Sequence, residues 1–167
     1  MLVSTVGFAS LVAIFSALLF LSERRSYPTH ASGAILVTGA SSGIGRDAAL
    51  SLDALGYIVY AGVRKESDAD SLRTERASLR PLILDVTKED HCAAAAKQIA
   101  ADKLPFVGLV NNAGISRRLP LEVEAMDEVR QLFDVNVFGL LHATRCASPH
   151  LFKWSQLAGA ASEFGWY

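Results

Sequence analysis

The sequence predicts an α/β fold built on a parallel sheet, and three observations carry that expectation. Short apolar runs alternate with helical patterns along the chain, in the rhythm strand, helix, strand, helix, strand that gives βαβ units. The runs are apolar throughout, as strands buried on both faces are. The first of them leads directly into a glycine-rich loop that opens onto a helix.

Taken in order, Met1 to Leu21 contains no charged residue, and Glu23, Arg24 and Arg25 follow. A helix of that length spans about 31 Å at ~1.5 Å per residue, the thickness of a bilayer core. The basic pair follows the apolar run and Phe20-Leu21-Ser22-Glu23 is a poor cleavage site, so a membrane anchor over residues 1–22 is preferred to a cleaved signal peptide. The positive-inside rule places everything after Arg24-Arg25 on the cytoplasmic side, in a eukaryote at the endoplasmic reticulum membrane. Residues 23–32 read as a linker, with Pro28, Ser32 and then Gly33, and residues 33–167 as the folded domain.

Ala34-Ile35-Leu36-Val37 is the first strand. A helical pattern runs through Ala48-Ala49-Leu50 and Leu52 to Leu55 and stops at Gly56. The second strand is Ile58 to Val63, a polar helical stretch follows, and Leu82-Ile83-Leu84-Asp85-Val86 is the third strand. Thr87 and Asp90 form a capping-box pattern for a helix that carries Cys92, Ala95, Ala96 and Ile99 on one face. Phe106 to Val110 is the fourth strand, leading into Asn111-Asn112-Ala113-Gly114. A last helix places Val129, Leu132, Phe133, Val137, Leu140, Leu141 and Thr144 at 3.6-residue spacing.

Composition narrows the function. The 167 residues hold about one domain, and 51 % hydrophobic content suffices for a core. Sixteen Lys and Arg against seventeen Asp and Glu leave a net charge of -1, with no basic cluster larger than a pair, which excludes nucleic acid as a partner. Cys92 and Cys146 have no CxxC partner, so neither a zinc ribbon nor a disulfide framework is indicated and a reducing compartment fits. His142, Cys146 and His150 recur at four-residue spacing, but Pro149 is expected to end that helix and no fourth ligand is present, so no metal is assigned.

The loop Thr38-Gly39-Ala40-Ser41-Ser42-Gly43-Ile44-Gly45 lies where backbone N–H groups and a helix dipole can face a pyrophosphate. Glycines also make ordinary tight turns, but the position between a buried strand and a helix is the context that phosphate binding requires. The spacing is Gly-x-x-x-Gly-x-Gly.

With this loop and with Asn111 to Gly114 after the fourth strand, the chain resembles the short-chain dehydrogenase/reductase family, whose members carry Thr-Gly-x-x-x-Gly-Ile-Gly and Asn-Asn-Ala-Gly at these places. Asp85-Val86, at a position that contacts adenine in the family, and Asn136 in Asp134-Val135-Asn136-Val137-Phe138-Gly139 extend the resemblance over residues 33 to 149. It implies a doubly wound Rossmann fold with NAD or NADP held by Gly39, Ser41, Ser42, Gly43, Ile44, Gly45, Asp85, Val86, Asn112, Ala113 and Gly114. At the end of the second strand stand Val63-Arg64-Lys65, with no carboxylate before Glu66, so Arg64 and Lys65 favour the 2′-phosphate of NADP over NAD. Arg46 either reinforces that choice or lies at the surface.

The family transfers hydride between the nicotinamide and a carbonyl or carbinol, with the tyrosine of a Tyr-x-x-x-Lys pair as acid/base and a serine polarising the substrate oxygen. Asn136 is either a structural amide or, by resemblance, the holder of a water in the proton relay. This chain contains no Tyr-x-x-x-Lys. Gly165-Trp166-Tyr167 resembles the approach to the catalytic tyrosine, and Leu157-Ala158-Gly159 resembles the segment just past the catalytic serine, as though the fifth strand and the serine were missing before it. The expected fold is therefore the doubly wound sheet truncated after the fourth strand and following helix. The expected function is NADP(H)-dependent interconversion of an alcohol and a ketone or aldehyde on a lipophilic substrate, with Asn136 and Tyr167 at the catalytic position. This chain is expected to be inactive as written, and its incomplete sheet makes a homo-oligomer unexpected. The alternative is a non-catalytic, membrane-tethered nucleotide-binding or interaction protein. A Rossmann-like methyltransferase would leave Asn111 to Gly114 and Asn136 unexplained.

Overall fold

A computed structural model describes residues 30–118, 120 and 122–157, with side chains to residue 151. The anchor expected over 1–22, most of the linker and Tyr167 lie outside the described residues. Among the described residues no helix is long and apolar enough to cross a membrane.

Four strands form one sheet in the order β3-β2-β1-β4: β1 (Ala34–Thr38), β2 (Ile58–Val63), β3 (Arg80–Ile83) and β4 (Phe106–Val110). All pairings are parallel, with Leu36 opposite Tyr60 on one side and Leu109 on the other. The helices are α1 (Gly43–Ala54), α2 (Glu66–Glu75), α3 (Glu89–Ala101), α4 (Met126–Phe133) and α5 (Leu140–Leu157), with a π turn, Asp134–Gly139, joining the last two. The order expected from the sequence is the order observed.

Because successive strand residues point to opposite faces, the central strands feed two cores. Ile35, Val37, Val59, Ala61 and Val63 meet Ala49 of α1 and Ala69 and Leu72 of α2. Ala34, Leu36, Tyr60 and Leu82 meet Cys92, Ala95 and Ile99 of α3 and Ala143 and Ala147 of α5. Helices therefore cover both faces, which is why every residue of β1 is buried. Tyr60, fully buried, donates its hydroxyl to Asp102, while the Arg80 guanidinium lies 5.5 Å over its ring. Burial, with the Asp102 bond, raises the Tyr60 pKa above its ordinary value. Burial likewise pushes the Cys92 thiol up to about 11, so it acts as a small core residue. The cavity of about 10 Å³ between α3 and α5 is too small for a ligand.

Five local expectations are corrected. The third strand occupies Arg80–Ile83 rather than Leu82 to Val86. Its partner β2 ends at Val63, opposite Ile83, and Leu84 N donates one last bond to Val63 O at 2.7 Å before the chain turns at Asp85. Pro81 is tolerated because β3 is an edge. The capping box does not form: Lys88 is the N-cap residue of α3, and the Thr87 hydroxyl is spent on Asp85 Oδ1 at 2.7 Å. Helix α1 already begins at Gly43, so half of the glycine loop is its first turn.

The expected single helix over Val129 to Thr144 is broken by the π turn, and its large apolar stripe faces outward. Phe133, Val137, Phe138, Leu140 and Leu141 are exposed, whereas the small residues Gly139, Ala143 and Ala147 pack inward. Small residues let the helix approach the sheet closely, which large ones at the same positions would prevent. Finally, α5 continues through Pro149. Proline cannot donate to the carbonyl of Arg145 four residues back, and the Ser148 hydroxyl donates to it instead at 3.3 Å. Among the described residues no group of three or more His, Cys, Asp or Glu is placed to hold a metal ion.

A Cβ at Gly139 would lie 2.6 Å from Val86 Cγ2 and 3.2 Å from Asp134 O. Gly139→Ala is expected to lower stability by about 1–3 kcal/mol, read as a lower urea midpoint at unchanged slope.

Candidate functional site

The carboxyl ends of β1, β2 and β4 converge on a cavity of about 330 Å³. Just before the lining residue Gly39, at the end of β1, stands Thr38, buried at 1 % exposure. The Thr38 hydroxyl accepts from the backbone N–H groups of Asn112 at 3.1 Å and Ala113 at 3.0 Å, and donates to Val110 O at 3.3 Å. The Asn112 amide answers by donating to the carbonyls of Thr38 and Gly39, both at 3.1 Å. Two loops distant in sequence are thereby one hydrogen-bonded unit.

Glycine is required at two points of that unit. Gly39 has φ +69°, and a Cβ on it would lie 2.7 Å from Ala113 Cα. A Cβ on Gly45 would strike the Asn112 amide and the Gly39 carbonyl. Gly43, by contrast, has φ +56° with nothing within 4 Å of where a Cβ would stand, so space is left in front of the first turn of α1. That turn has no acidic residue, and the N-cap Ser42 makes no side-chain cap bond. The positive end of the helix and its first N–H groups are left for an anion.

Of the residues expected to hold the cofactor, Gly39, Ser41, Ser42, Ile44, Arg64, Asp85, Val86, Asn112, Ala113 and Gly114 line the cavity. Gly43, Gly45 and Lys65 do not: the two glycines shape the turn, and Lys65 is the exposed N-cap of α2. Gly62, Val63, Leu84, Ile115 and Val135 also line it and were missed by sequence reasoning. Each lies within two residues of a motif position, so proximity in sequence was the available signal. Thr38, quoted only as part of the glycine motif, is the most connected side chain of the site.

Just past the end of β2, Glu66 accepts from Arg73 at 2.8 Å and does not line the cavity. Arg64, the residue after β2, lines the cavity. Asp85 accepts from Thr87 N at 3.0 Å and Thr87 Oγ1 at 2.7 Å. Burial would raise its pKa, but these bonds and the nearby Lys88 and Arg64 outweigh it and hold the carboxyl below the ordinary 3.8.

Asn136 sits on the π turn, half-buried, and does not line the cavity. Its Oδ1 accepts from Ile115 N at 2.9 Å and its Nδ2 donates to Ile115 O at 2.8 Å. Phe133 and Leu140, near it in the sequence, are exposed, while Asn136 ties the turn to the loop after β4. One amide N–H and one lone pair remain after these bonds. Tyr167 lies outside the described residues.

A glycine loop at a helix N-terminus, beside a cavity at the carboxyl ends of parallel strands, defines a dinucleotide-binding α/β protein. Comparison with known proteins gives the narrower class. Residues 33–160 match the short chain dehydrogenase family. The chain is 38 % identical over 124 residues to the uncharacterized oxidoreductase YusZ of Bacillus subtilis, covering 71 % of this chain and 44 % of that one. It is 34 % identical over 119 residues to 3-ketodihydrosphingosine reductase of Bacteroides thetaiotaomicron, covering 71 % and 42 %. Gluconate 5-dehydrogenase from Burkholderia cenocepacia, solved with NADP and tartrate, superposes with a TM-score of 0.62 at 30 % identity, over 70 % of this chain and 48 % of that one. The chain belongs to the short chain dehydrogenase family. It spans less than half the length of the curated relatives that it matches.

Two expectations follow. Thr38→Val leaves two backbone N–H groups unpaired and is expected to cost about 1–3 kcal/mol in urea unfolding, with Thr38→Ser retaining most of the stability. A carboxyl whose pKa is depressed on folding stabilises the fold above its unfolded pKa and loses that contribution as pH falls through the folded value. The stability gap between the wild type and Asp85→Asn is therefore expected to be constant near neutrality and to close as pH falls below 3.8.

Proposed function

We propose that this chain is the nucleotide-binding part of an NADP(H)-dependent oxidoreductase that interconverts an alcohol with a ketone or aldehyde. The observation that carries the choice of NADP(H) is the end of β2, where Arg64 reaches the cavity and Glu66 is turned to Arg73. NAD binding at such a strand end uses a free carboxylate for the ribose hydroxyls, and a cation there suits a 2′-phosphate. The solved relative that contains NADP supports the same reading.

When bound, the dinucleotide supplies or accepts hydride at its nicotinamide ring. The first turn of α1 holds the pyrophosphate, Arg64 and Lys65 offer charge to the 2′-phosphate, and Asp85-Val86 seats the adenine. Asn112 to Gly114 wall the cavity towards the nicotinamide. Asn136 keeps one N–H and one lone pair for a water on the proton path. The Tyr167 phenol is the proposed proton donor to the carbonyl oxygen in reduction and acceptor in oxidation. Its lysine partner is not within these 167 residues, so this polypeptide by itself is proposed to bind NADP(H) weakly and to turn over no carbonyl.

A lipophilic substrate is supported by the apolar Met1 to Leu21 run, proposed as an anchor with the domain on the cytoplasmic face, and by a relative named as a reductase of a sphingoid ketone. The second reading, a tethered binding protein without catalysis, is favoured by the exposed Phe133, Phe138 and Leu141, which offer a partner an apolar face.

Isothermal titration of the purified chain tests the cofactor assignment. NADPH is expected to bind more tightly than NADH, and Arg64→Asp to reduce the NADPH affinity about tenfold or more while sparing NADH. Tighter binding of NADH to the wild type, or indifference to Arg64, overturns it.

A further inference from the structure

One arginine beside the glycine loop has its charge already engaged. Arg46, in the first turns of α1, donates from Nε to Glu75 Oε2 at 2.9 Å, and one terminal nitrogen closes on the same oxygen. That nitrogen also donates to Ser71 Oγ at 3.1 Å, and the other donates to the carbonyl of Ser41 at 3.1 Å. Ser41 lines the cavity, so the guanidinium stands one residue behind its wall. Ser71 and Glu75 belong to α2, the helix that starts directly after Arg64-Lys65. On that helix Glu66 and Asp70 both turn to Arg73, whereas Glu75 turns to the loop.

The pair is accessible, at 27 % exposure for Arg46 and 41 % for Glu75. Ion pairs of that exposure are held weakly, and a dianionic phosphate makes stronger charge-assisted bonds with a guanidinium than one carboxylate does. Arg46 is therefore a cation in reserve, placed next to the site but bound to an internal anion.

We propose that Glu75 is a specificity-determining residue: by holding the Arg46 guanidinium it withholds that charge from a 2′-phosphate gripped by Arg64, and so limits the preference for NADP(H) over NAD(H). This rests on the dinucleotide-binding reading above. Arg46 then neither reinforces NADP binding freely nor lies idle at the surface.

The test is a double-mutant cycle by isothermal titration, using the full chain with NADPH and NADH. Glu75→Gln keeps the size and an acceptor for the guanidinium but removes the charge. It is expected to tighten NADPH binding about threefold to tenfold and to leave NADH within about twofold. Arg46→Gln, added to Glu75→Gln, is expected to abolish that gain. An equal effect on both nucleotides, no effect, or a gain that survives without Arg46 overturns the inference. If the wild type binds both nucleotides and Glu75→Gln changes nothing, the inference alone falls. If the wild type binds neither, the dinucleotide reading falls with it. Circular dichroism of each variant separates these outcomes from unfolding.

Discussion

The site depends on one buried hydroxyl. The ladder between β1 and β4 ends at Val37 and Val110, and beyond that point the two chains diverge into loops whose backbone groups need partners. Thr38 supplies them by accepting from Asn112 N and Ala113 N. An apolar residue would pack equally well but would leave two donors stranded, and water cannot replace the hydroxyl at a position 1 % exposed. The Asn112 amide closes the same circuit from the other side, so the loops on both flanks of the cavity are fixed before any ligand arrives. A ligand that enters such a site does not have to order it.

Close approach then explains the glycines and small residues around the hydroxyl. Gly45 leaves the Asn112 amide the volume that any Cβ would fill, and Gly39 lets Ala113 lie against it. The same logic acts on the opposite side of the sheet, where Gly139 sits on Val86 and Ala143 and Ala147 continue the contact along α5. That close packing holds the π turn where Asn136 can bond both backbone groups of Ile115. The irregular turn is therefore a consequence of two constraints on one helix, a tight seat on the sheet and an amide that must reach a loop.

These constraints also decide what could be read from the sequence. The element order, the four strands and most cavity-lining residues were legible, because uniform apolar runs and glycine spacing are local signals. The end of β3 was not legible, since Leu84 and Val86 are as apolar and strand-like as the residues of β2 and only the length of the neighbouring strand stops the pairing. The buried face of the last helix was misread for a different reason. Periodicity identifies a large apolar stripe, but the sheet accepts Gly139, Ala143 and Ala147, and residues such as Phe133 and Leu141 point away from it. The partners of Arg46 were equally hidden, because Glu75 lies in a different helix and ordinary charge patterning carries no register between helices.

The charges around the end of β2 show how partner choice sets the field of the cavity. Each nearby carboxylate is assigned to a neighbour: Glu66 to Arg73, Glu75 to Arg46, and Asp85 to the hydroxyl and N–H of Thr87. Arg64 shares the cavity wall with Asp85 and helps to hold that carboxyl ionised. The helix end of α1 adds positive potential without a countering acid in its first turn. Counting charged residues near the site would suggest a balanced surface. Their pairing instead keeps Glu66 and Glu75 off the cavity wall, and Asp85, which lines it, is held by Thr87 with Lys88 and Arg64 nearby.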